Sequence, residues 1–155
     1  MKNNLWISGL SASGKTSIGL EFGWNGATLL DGDQLREDLN QPPDFTKVGR
    51  ELWLGEVSLL AETMVNQGKW VVVCLCQPMP QSLRESFKEV HLTTPLNVCI
   101  ERDTKGQYFR KENMYGVDLT YPEPVKPSMK LDTSERSPTD CYTIICEKLN
   151  IRRPY

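Results

Sequence analysis

The sequence contains a single histidine, no cysteine pair spaced as CxxC and no excess of basic residues. Its five cysteines are odd in number, and His91 has no second histidine beside it, which argues against a zinc site. Most of the cysteines lie in apolar stretches, so we expect reduced core residues of a cytoplasmic protein. With 18 basic and 20 acidic side chains the net charge is −2. This balance gives no support for binding to nucleic acid or to an acidic membrane surface.

Long hydrophobic runs are also missing. The longest covers residues 70–76, far below the roughly 20 residues that a membrane-spanning helix needs. The first residues lead directly into a short apolar run, so we expect neither a secretory leader nor a membrane span. The chain has 155 residues, of which 39% are hydrophobic and 25% charged. We therefore expect one globular domain over residues 1–155 with a full core.

Short β-like runs alternate along the chain with segments of helical spacing. Strands are predicted over residues 4–8, 27–30, 70–75, 90–92 and 129–131. Helices are predicted over residues 15–22, 34–40, 46–67 and 139–149, with a further helix after Pro95. Gly68 is well placed to end the long helix. This order predicts an α/β fold in which a parallel five-stranded sheet carries helices on both faces.

One stretch, residues 107–130, shows no clear period and is rich in proline and tyrosine. A loop of this length in a compact domain is usually functional, so we predict a lid over about residues 105–128. A disordered surface excursion is the alternative.

Residues 9–16 match GxxxxGK[ST], the pattern of a phosphate-binding loop. The glycines let backbone N–H groups surround phosphate oxygens, Lys15 can reach the β- and γ-phosphates, and the Thr16 hydroxyl can bind Mg²⁺. The motif follows the first predicted strand and precedes a helix, which predicts a P-loop NTPase fold. The predicted site for ATP and Mg²⁺ comprises Gly9, Ser11, Ala12, Ser13, Gly14, Lys15, Thr16 and Ser17.

Asp31, Gly32 and Asp33 follow the second predicted strand. Ligands of open parallel sheets bind beyond the carboxyl ends of the strands, so we expect both carboxylates to face the phosphates. One would accept a proton from the substrate hydroxyl and the other would hold Mg²⁺ through water; the sequence leaves open which. A helix N-cap at Asp33 is the structural alternative. We predict Lys15, Asp31 and Asp33 as catalytic residues.

The order of motifs beyond this loop resembles the adenylylsulfate kinase (APS kinase) family. In the first half of the chain the family patterns are WxTGLSGxGKT, LDGDNxRxGLN and GEV, matched by residues 6–16, 30–40 and 55–57. In the second half they are TPLxVCxxRDxKGLY, TGIDxPYxxP and LDT, matched by residues 94–108, 115–124 and 131–133. The likeness covers nearly the whole chain.

The resemblance implies an ATP-dependent kinase that phosphorylates the ribose 3′-hydroxyl of a nucleotide, with adenylylsulfate as the leading acceptor. It places Arg102 on the ATP adenine and Phe45 on the acceptor base, and Lys105 in the lid over the phosphates. The implied acceptor-binding residues are Asp33, Arg36, Asn40, Phe45, Arg50, Lys105 and Tyr115. A homodimer is a further expectation, because dimers are common in the family.

The sequence departs from the family in the lid, where FTGI is replaced by Met114, Tyr115, Gly116 and Val117. One base-stacking aromatic is thereby lost, and Tyr115 is the candidate substitute. Two alternatives therefore stay open. The first is a kinase of another nucleotide with a modified phosphate tail, such as cytidine diphosphoramidate in capsule modification. The second is a nucleotide-binding module without catalysis.

Overall fold

The computed structural model describes residues 3–110 and 112–152. The strands are β1 (Leu5–Gly9), β2 (Thr28–Asp31), β3 (Val71–Cys74), β4 (Lys88–Leu92) and β5 (Met129–Leu131). They form one sheet in the order β2–β3–β1–β4–β5, and every neighbouring pair is parallel. This arrangement confirms the predicted five-stranded parallel sheet.

Helices connect these strands at α1 (Lys15–Trp24), α2 (Gly32–Asp38), α3 (Lys47–Asn66), α4 (Leu96–Arg102) and α5 (Pro138–Lys148). The long helix α3 is capped by Thr46, whose hydroxyl accepts the Gly49 N–H at 3.1 Å. It ends before Gly68, which has a φ of 84° and so acts as the predicted helix terminator. None of the described helices is both long and apolar enough to cross a membrane.

The sheet is covered on both faces, and β1 shows how. Ile7 contacts one buried cluster, to which α1 and α5 contribute Phe22 and Ile145. Trp6 points the opposite way, into a second buried cluster that contains Trp53 of α3. Successive side chains of a strand alternate between faces, so a strand with helices on both sides is apolar throughout.

The cysteines behave as predicted for core residues. Cys74, Cys99, Cys141 and Cys146 are buried and Cys76 is half-buried, and all have free thiols.

The predicted lid contains a 3₁₀ helix at Gln107–Arg110, which the sequence did not predict. The Asp103 carboxylate organises it by accepting the N–H groups of Gln107 at 3.0 Å and Tyr108 at 2.8 Å. Gly106 supplies the turn before it with a φ of 68°. An element held by one side chain and one glycine has no apolar period, which explains why it was missed.

A buried carboxyl lies where β1 and β4 meet. Glu89 is 1% exposed, and its Oε2 accepts the Ser8 hydroxyl at 3.1 Å and the Met79 N–H at 2.8 Å. Its Oε1 has no partner among the residues described. Burial raises the pKa of Glu89 above its ordinary value of 4.5, outweighing the two hydrogen bonds, which lower it.

We predict that Glu89→Gln removes part of the pH dependence of stability. Because the folded state raises the pKa of Glu89, the contribution of this carboxyl to stability is fully present below pH 4.5 and is lost as the pH rises through the folded-state pKa. Each pH unit between the two pKa values corresponds to about 1.4 kcal/mol. Urea unfolding at pH 5 and pH 8 measures this effect. The free energy of unfolding of the wild type minus that of the variant should be larger at pH 5 than at pH 8. An equal difference at the two pH values would contradict the assignment.

Candidate active site

The loop between β1 and α1 is braced from outside by side chains that bind its carbonyl groups. The Tyr108 hydroxyl donates to the Ser11 carbonyl at 2.7 Å, and the Thr133 hydroxyl donates to the Ser13 carbonyl at 2.6 Å. The Ser13 carbonyl and the Gly14 N–H belong to one trans peptide group, in which C=O and N–H point in opposite directions. The N–H of Gly14 is therefore directed away from Thr133. Ser11 and Gly14 line a cleft of about 550 Å³. The loop is thus oriented to present N–H groups to an anion.

Two further features fit this loop to phosphate groups. A Cβ at Gly9 would lie 2.8 Å from Ser13 Oγ and 3.1 Å from the Leu92 carbonyl, so only glycine fits there. Ser13 Oγ itself is buried and has no hydrogen-bond partner in the described part of the chain. A buried hydroxyl without a protein partner beside an anion-binding loop fits a loop whose partner is a ligand.

Ala12 occupies a strained position in the same loop. Its φ is 64°, and the family pattern has glycine at this point. A non-glycine residue in the left-handed region costs about 1–2 kcal/mol. The methyl group is half-buried against the cluster of Cys99, Tyr108 and Met114, which offsets part of this cost.

We expect Ala12→Gly to raise the free energy of unfolding by about 0.5 kcal/mol, because relief of strain exceeds the cost of glycine's extra freedom in the unfolded chain. Ala61→Gly is the matched control, since Ala61 is buried in the regular helix α3. It should lower the free energy of unfolding by about 1 kcal/mol or more. Urea unfolding of both variants decides the matter, and a loss of stability in Ala12→Gly as large as the control's would show that position 12 is unstrained.

Lys15 and Thr16 stand at the start of α1. Lys15 Nζ donates to the carbonyls of Gly9 at 3.1 Å and Leu10 at 2.6 Å, so the ammonium lies along the loop. The Thr16 hydroxyl donates to Asp31 Oδ1 at 2.7 Å. A hydroxyl and a carboxylate are oxygen ligands of the kind that Mg²⁺ prefers, so the residues present fit Mg²⁺ bound together with phosphates. Within residues 3–110 and 112–152 no group of three or more His, Cys, Asp or Glu would hold a metal alone.

The two aspartates take different positions, Asp31 at the end of β2 and Asp33 at the start of α2. Asp31 Oδ2 accepts the N–H of Gln34 at 3.2 Å and so caps α2. The alternative of an N-cap at Asp33 is wrong, because α2 already begins at Gly32. Asp33 lies in the first helical turn, exposed and lining the cleft. Its carboxylate is therefore the less constrained of the two.

Two arginines line the cleft together with Asp33. The Arg36 guanidinium lies 4.4 Å from the centre of the Trp53 ring and donates to the Pro42 carbonyl at 3.1 Å. Burial lowers the pKa of Arg36, while Asp33 opposes the shift. Arg50 is 9% exposed and donates to the Phe45 carbonyl at 3.0 Å. Both guanidiniums line the cleft and hold fixed positions through neutral partners.

Arg102 is fixed at the other end of the cleft, at the C-terminus of α4. Its two guanidinium nitrogens donate to the Thr133 hydroxyl at 2.9 Å and to the Thr133 carbonyl at 2.6 Å. Lys105 and Arg136 also line the cleft there. Arg136 had no signal in the sequence, since it lies outside every motif.

The structure brings most of the predicted site residues to this one cleft. Those that line it are Ser11, Ala12, Gly14, Lys15, Thr16, Ser17, Asp31, Asp33, Arg36, Phe45, Arg50, Arg102 and Lys105. Gly9 and Ser13 lie buried within the loop. Asn40 and Tyr115 lie outside the lining. Tyr115 packs instead against Arg50 and Tyr121, and the centre of its ring lies 4.2 Å from the guanidinium carbon of Arg50.

The model of the adenylylsulphate kinase family matches residues 1–132. The chain belongs to this family. An adenylyl-sulfate kinase of Bacillus pumilus is 34% identical over 161 residues, covering 88% of this chain and 81% of its own. One of Synechococcus is 30% identical, covering 96% of this chain and 94% of its own. Membership of the adenylylsulphate kinase family confirms the predicted resemblance and the expected activity class, an ATP-dependent phosphotransferase acting on a hydroxyl group.

Solved structures agree with this membership. The Mycobacterium tuberculosis APS kinase CysC, described in complex with AMPPNP and APS, has a TM-score of 0.81 and 28% identity, covering 96% of this chain and 98% of its own. Shikimate kinase from Aquifex aeolicus, at a TM-score of 0.61 and 16% identity, shares the fold.

Proposed function

We propose that this member of the family transfers the γ-phosphoryl group of ATP to the ribose 3′-hydroxyl of adenylylsulfate, forming 3′-phosphoadenylylsulfate and ADP. The observation that carries the proposal is that one cleft is lined both by the phosphate-binding loop and by Asp33, Arg36, Phe45 and Arg50. The similarity to an APS kinase described with both an ATP analogue and APS supports two nucleotides facing each other here.

In the proposed reaction, Asp33 accepts the proton of the 3′-hydroxyl as its oxygen attacks the γ-phosphorus. The new O–P bond forms while the bond from the γ-phosphorus to the β–γ bridging oxygen breaks, and the electron pair leaves with ADP. Lys15 and the loop N–H groups stabilise the negative charge on the oxygens of the transferred phosphoryl group. Such transfer depends on positioning and charge stabilisation more than on covalent chemistry.

Thr16 and, through water, Asp31 would hold Mg²⁺. When bound, the ion neutralises charge on the β- and γ-phosphates. The hydrogen bond between the Thr16 hydroxyl and Asp31 Oδ1 supports this assignment, because it already joins the two oxygen-bearing groups at the mouth of the loop.

On the acceptor side, Arg36 and Arg50 suit the anionic tail of adenylylsulfate, because a guanidinium donates paired hydrogen bonds to planar or tetrahedral oxyanions. Phe45 offers a ring face to the base. Lys105, in the lid segment, would lie over the phosphates. Asn40 and Tyr115 would reach the acceptor only after movement of their segments, since neither lines the cleft.

A second acceptor class stays open because of Met114. This side chain is 3% exposed and packs with Cys99 and Tyr108, so it offers no face to a base. The base site thus departs from the family where acceptor identity is decided. A cytidine diphosphate bearing a phosphoramidate tail presents the same ribose 3′-hydroxyl, which keeps it as the alternative.

An ADP-release assay with MgATP tests the proposal, comparing adenylylsulfate and cytidine diphosphoramidate at matched concentrations. The 3′-phosphorylated product is identified by mass spectrometry. We expect a clear preference for adenylylsulfate in kcat/KM. A preference for the cytidine acceptor would replace the proposed substrate, and ATP binding without transfer to either would favour the non-catalytic module.

The homodimer and the cytoplasmic location expected from the sequence stay predictions. Val48, Leu52 and Leu59 on the outer side of α3 are each more than half exposed. Sedimentation equilibrium of the purified protein measures the oligomeric state.

A further inference from the structure

The lid segment places an arginine over the ring of Phe45, the proposed stacking surface for the acceptor base. The guanidinium carbon of Arg110, in the 3₁₀ helix, lies 3.5 Å from the centre of the Phe45 ring. That separation is the stacking distance of a planar group on an aromatic face. No role is predicted for Arg110 from the sequence, because this residue lies in a stretch without periodicity and 65 positions from Phe45.

Arg110 is held in this position by neutral groups. Its guanidinium donates to the Met114 sulfur at 3.0 Å, to the Glu112 carbonyl at 3.0 Å and to the Gln107 side-chain oxygen at 3.3 Å. The bond to the Met114 sulfur ties Arg110 to the residue that replaces the missing aromatic. The guanidinium thus lies close to the position from which the lid aromatic is lost.

The same corner contains a second guanidinium. Arg50 lies 5.4 Å from the centre of the Phe45 ring, on which Arg110 also stacks. Burial first, and the nearby charge of Arg50 next, lower the pKa of Arg110. The rings of Phe45 and Tyr115 and the charges of Asp118 and Asp33 offset part of this repulsion. A nucleotide would offset more of it, through its electron-rich base and its anionic phosphate tail.

The neighbouring side chains of the lid have other surroundings. Tyr115 packs on Arg50 and Tyr121, the Phe109 ring is 83% exposed, and the non-aromatic Met114 is buried. Arg110, although outside the cleft lining like Tyr115, is the described lid residue whose planar group contacts the Phe45 ring. The face opposite a base stacked on Phe45 therefore has Arg110 as its candidate.

We propose that Arg110 forms the second wall of the acceptor-base site, so that the base lies between the Phe45 ring and the Arg110 guanidinium. Arg110 moves from direct contact with Phe45 to the far side of the base when the acceptor binds. Its role is specificity-determining, since the guanidinium contacts the base and not the reacting atoms. This inference rests on the proposed function for the two sides of the cleft.

The test compares Arg110→Ala, Arg110→Lys and Arg110→Phe with wild type. Arg84→Ala is the matched control, since Arg84 is an exposed arginine bonded to Gln81 away from the cleft. With AMPPNP saturating the ATP site, calorimetry measures binding of adenosine 5′-monophosphate and of ribose 5-phosphate, which lacks a base. KM values for acceptor and ATP are measured in parallel.

Loss of one stacking surface should weaken binding of adenosine 5′-monophosphate by about tenfold in Arg110→Ala. Binding of ribose 5-phosphate and the KM for ATP should stay unchanged. Arg110→Phe should bind within about threefold of wild type, because it restores a planar face. Arg110→Lys should resemble Arg110→Ala, because lysine keeps the charge without the plane. Arg84→Ala should match wild type throughout.

Three results would overturn the inference. One is wild-type binding of adenosine 5′-monophosphate by a folded Arg110→Ala protein. Another is an equal loss for the nucleotide and for ribose 5-phosphate, and the third is rescue by lysine but not by phenylalanine. The last two would assign Arg110 to the phosphate tail. Turnover of adenylylsulfate with any of these results leaves the proposed function standing, whereas the expected binding pattern without turnover would refute the proposed function and keep the base site.

Discussion

Lys15→Ala should lower kcat for phosphoryl transfer by about 10³-fold while the protein stays folded, because a preorganised charge at the transferred group is lost. In the structure Lys15 Nζ is held by the carbonyls of Gly9 and Leu10. These two bonds keep the ammonium beside the loop, where phosphate oxygens would replace the carbonyls as partners. The side chain is half-buried, so its removal leaves the core of the sheet untouched.

Steady-state and single-turnover rates with MgATP and adenylylsulfate measure the loss, and urea unfolding checks the fold. Lys15→Met is the matched control, since it keeps most of the length of the side chain without its charge, and its rate should fall as far. Lys15→Arg should also be slow, because a planar fork does not fit a position shaped for a point charge. A folded Lys15→Ala protein with a rate near wild type would refute the phosphate assignment.

The parts of the fold that the sequence predicted well are those with local signals. The glycines and Lys15 of the loop form a contiguous motif, and the strands of a doubly covered sheet are apolar at every position, as Val71–Cys74 shows. Gly68 ends α3 as predicted because the left-handed conformation at a helix end depends on one residue. In each case the information lies within a few neighbouring positions.

The parts that were missed depend on contacts between distant residues. The stacking of Arg110 on Phe45 requires the turn at Gly106 and the carboxylate of Asp103, which together set the direction of the 3₁₀ helix. Tyr108 braces the loop through the Ser11 carbonyl, 97 positions away. No periodicity or propensity records such pairings, so the lid was predicted as a segment without its internal order.

The two aspartates were predicted as a pair, and only the structure separates them. Asp31 has both carboxylate oxygens engaged, by Thr16 and by the N–H of Gln34, whereas Asp33 is exposed to the cleft. Which aspartate caps α2, and which is free to act as a base, depends on where α2 begins. Helix boundaries are the least certain feature of any sequence pattern.

The different environments of Asp31 and Asp33 predict different defects when each is replaced by asparagine. Asp33→Asn should lower kcat by about 10²- to 10³-fold, because the amide cannot accept the proton of the acceptor hydroxyl. The KM for ATP and the Mg²⁺ concentration for half-maximal rate should change little, since Asp33 is assigned neither to the metal nor to the loop. Free energy of unfolding should be nearly unchanged, because the side chain is exposed.

Asp31→Asn is the matched partner and should behave in the opposite way. The amide oxygen can still cap α2, so the fold should persist with a small loss of stability. The neutral amide attracts Mg²⁺ more weakly than the carboxylate does, so the Mg²⁺ concentration for half-maximal rate should rise several-fold. Added Mg²⁺ should restore much of kcat. Rates across a Mg²⁺ titration of both variants distinguish the roles. If added Mg²⁺ restores Asp33→Asn and not Asp31→Asn, Asp31 is the base, and its bond to Thr16 must break before the hydroxyl reacts.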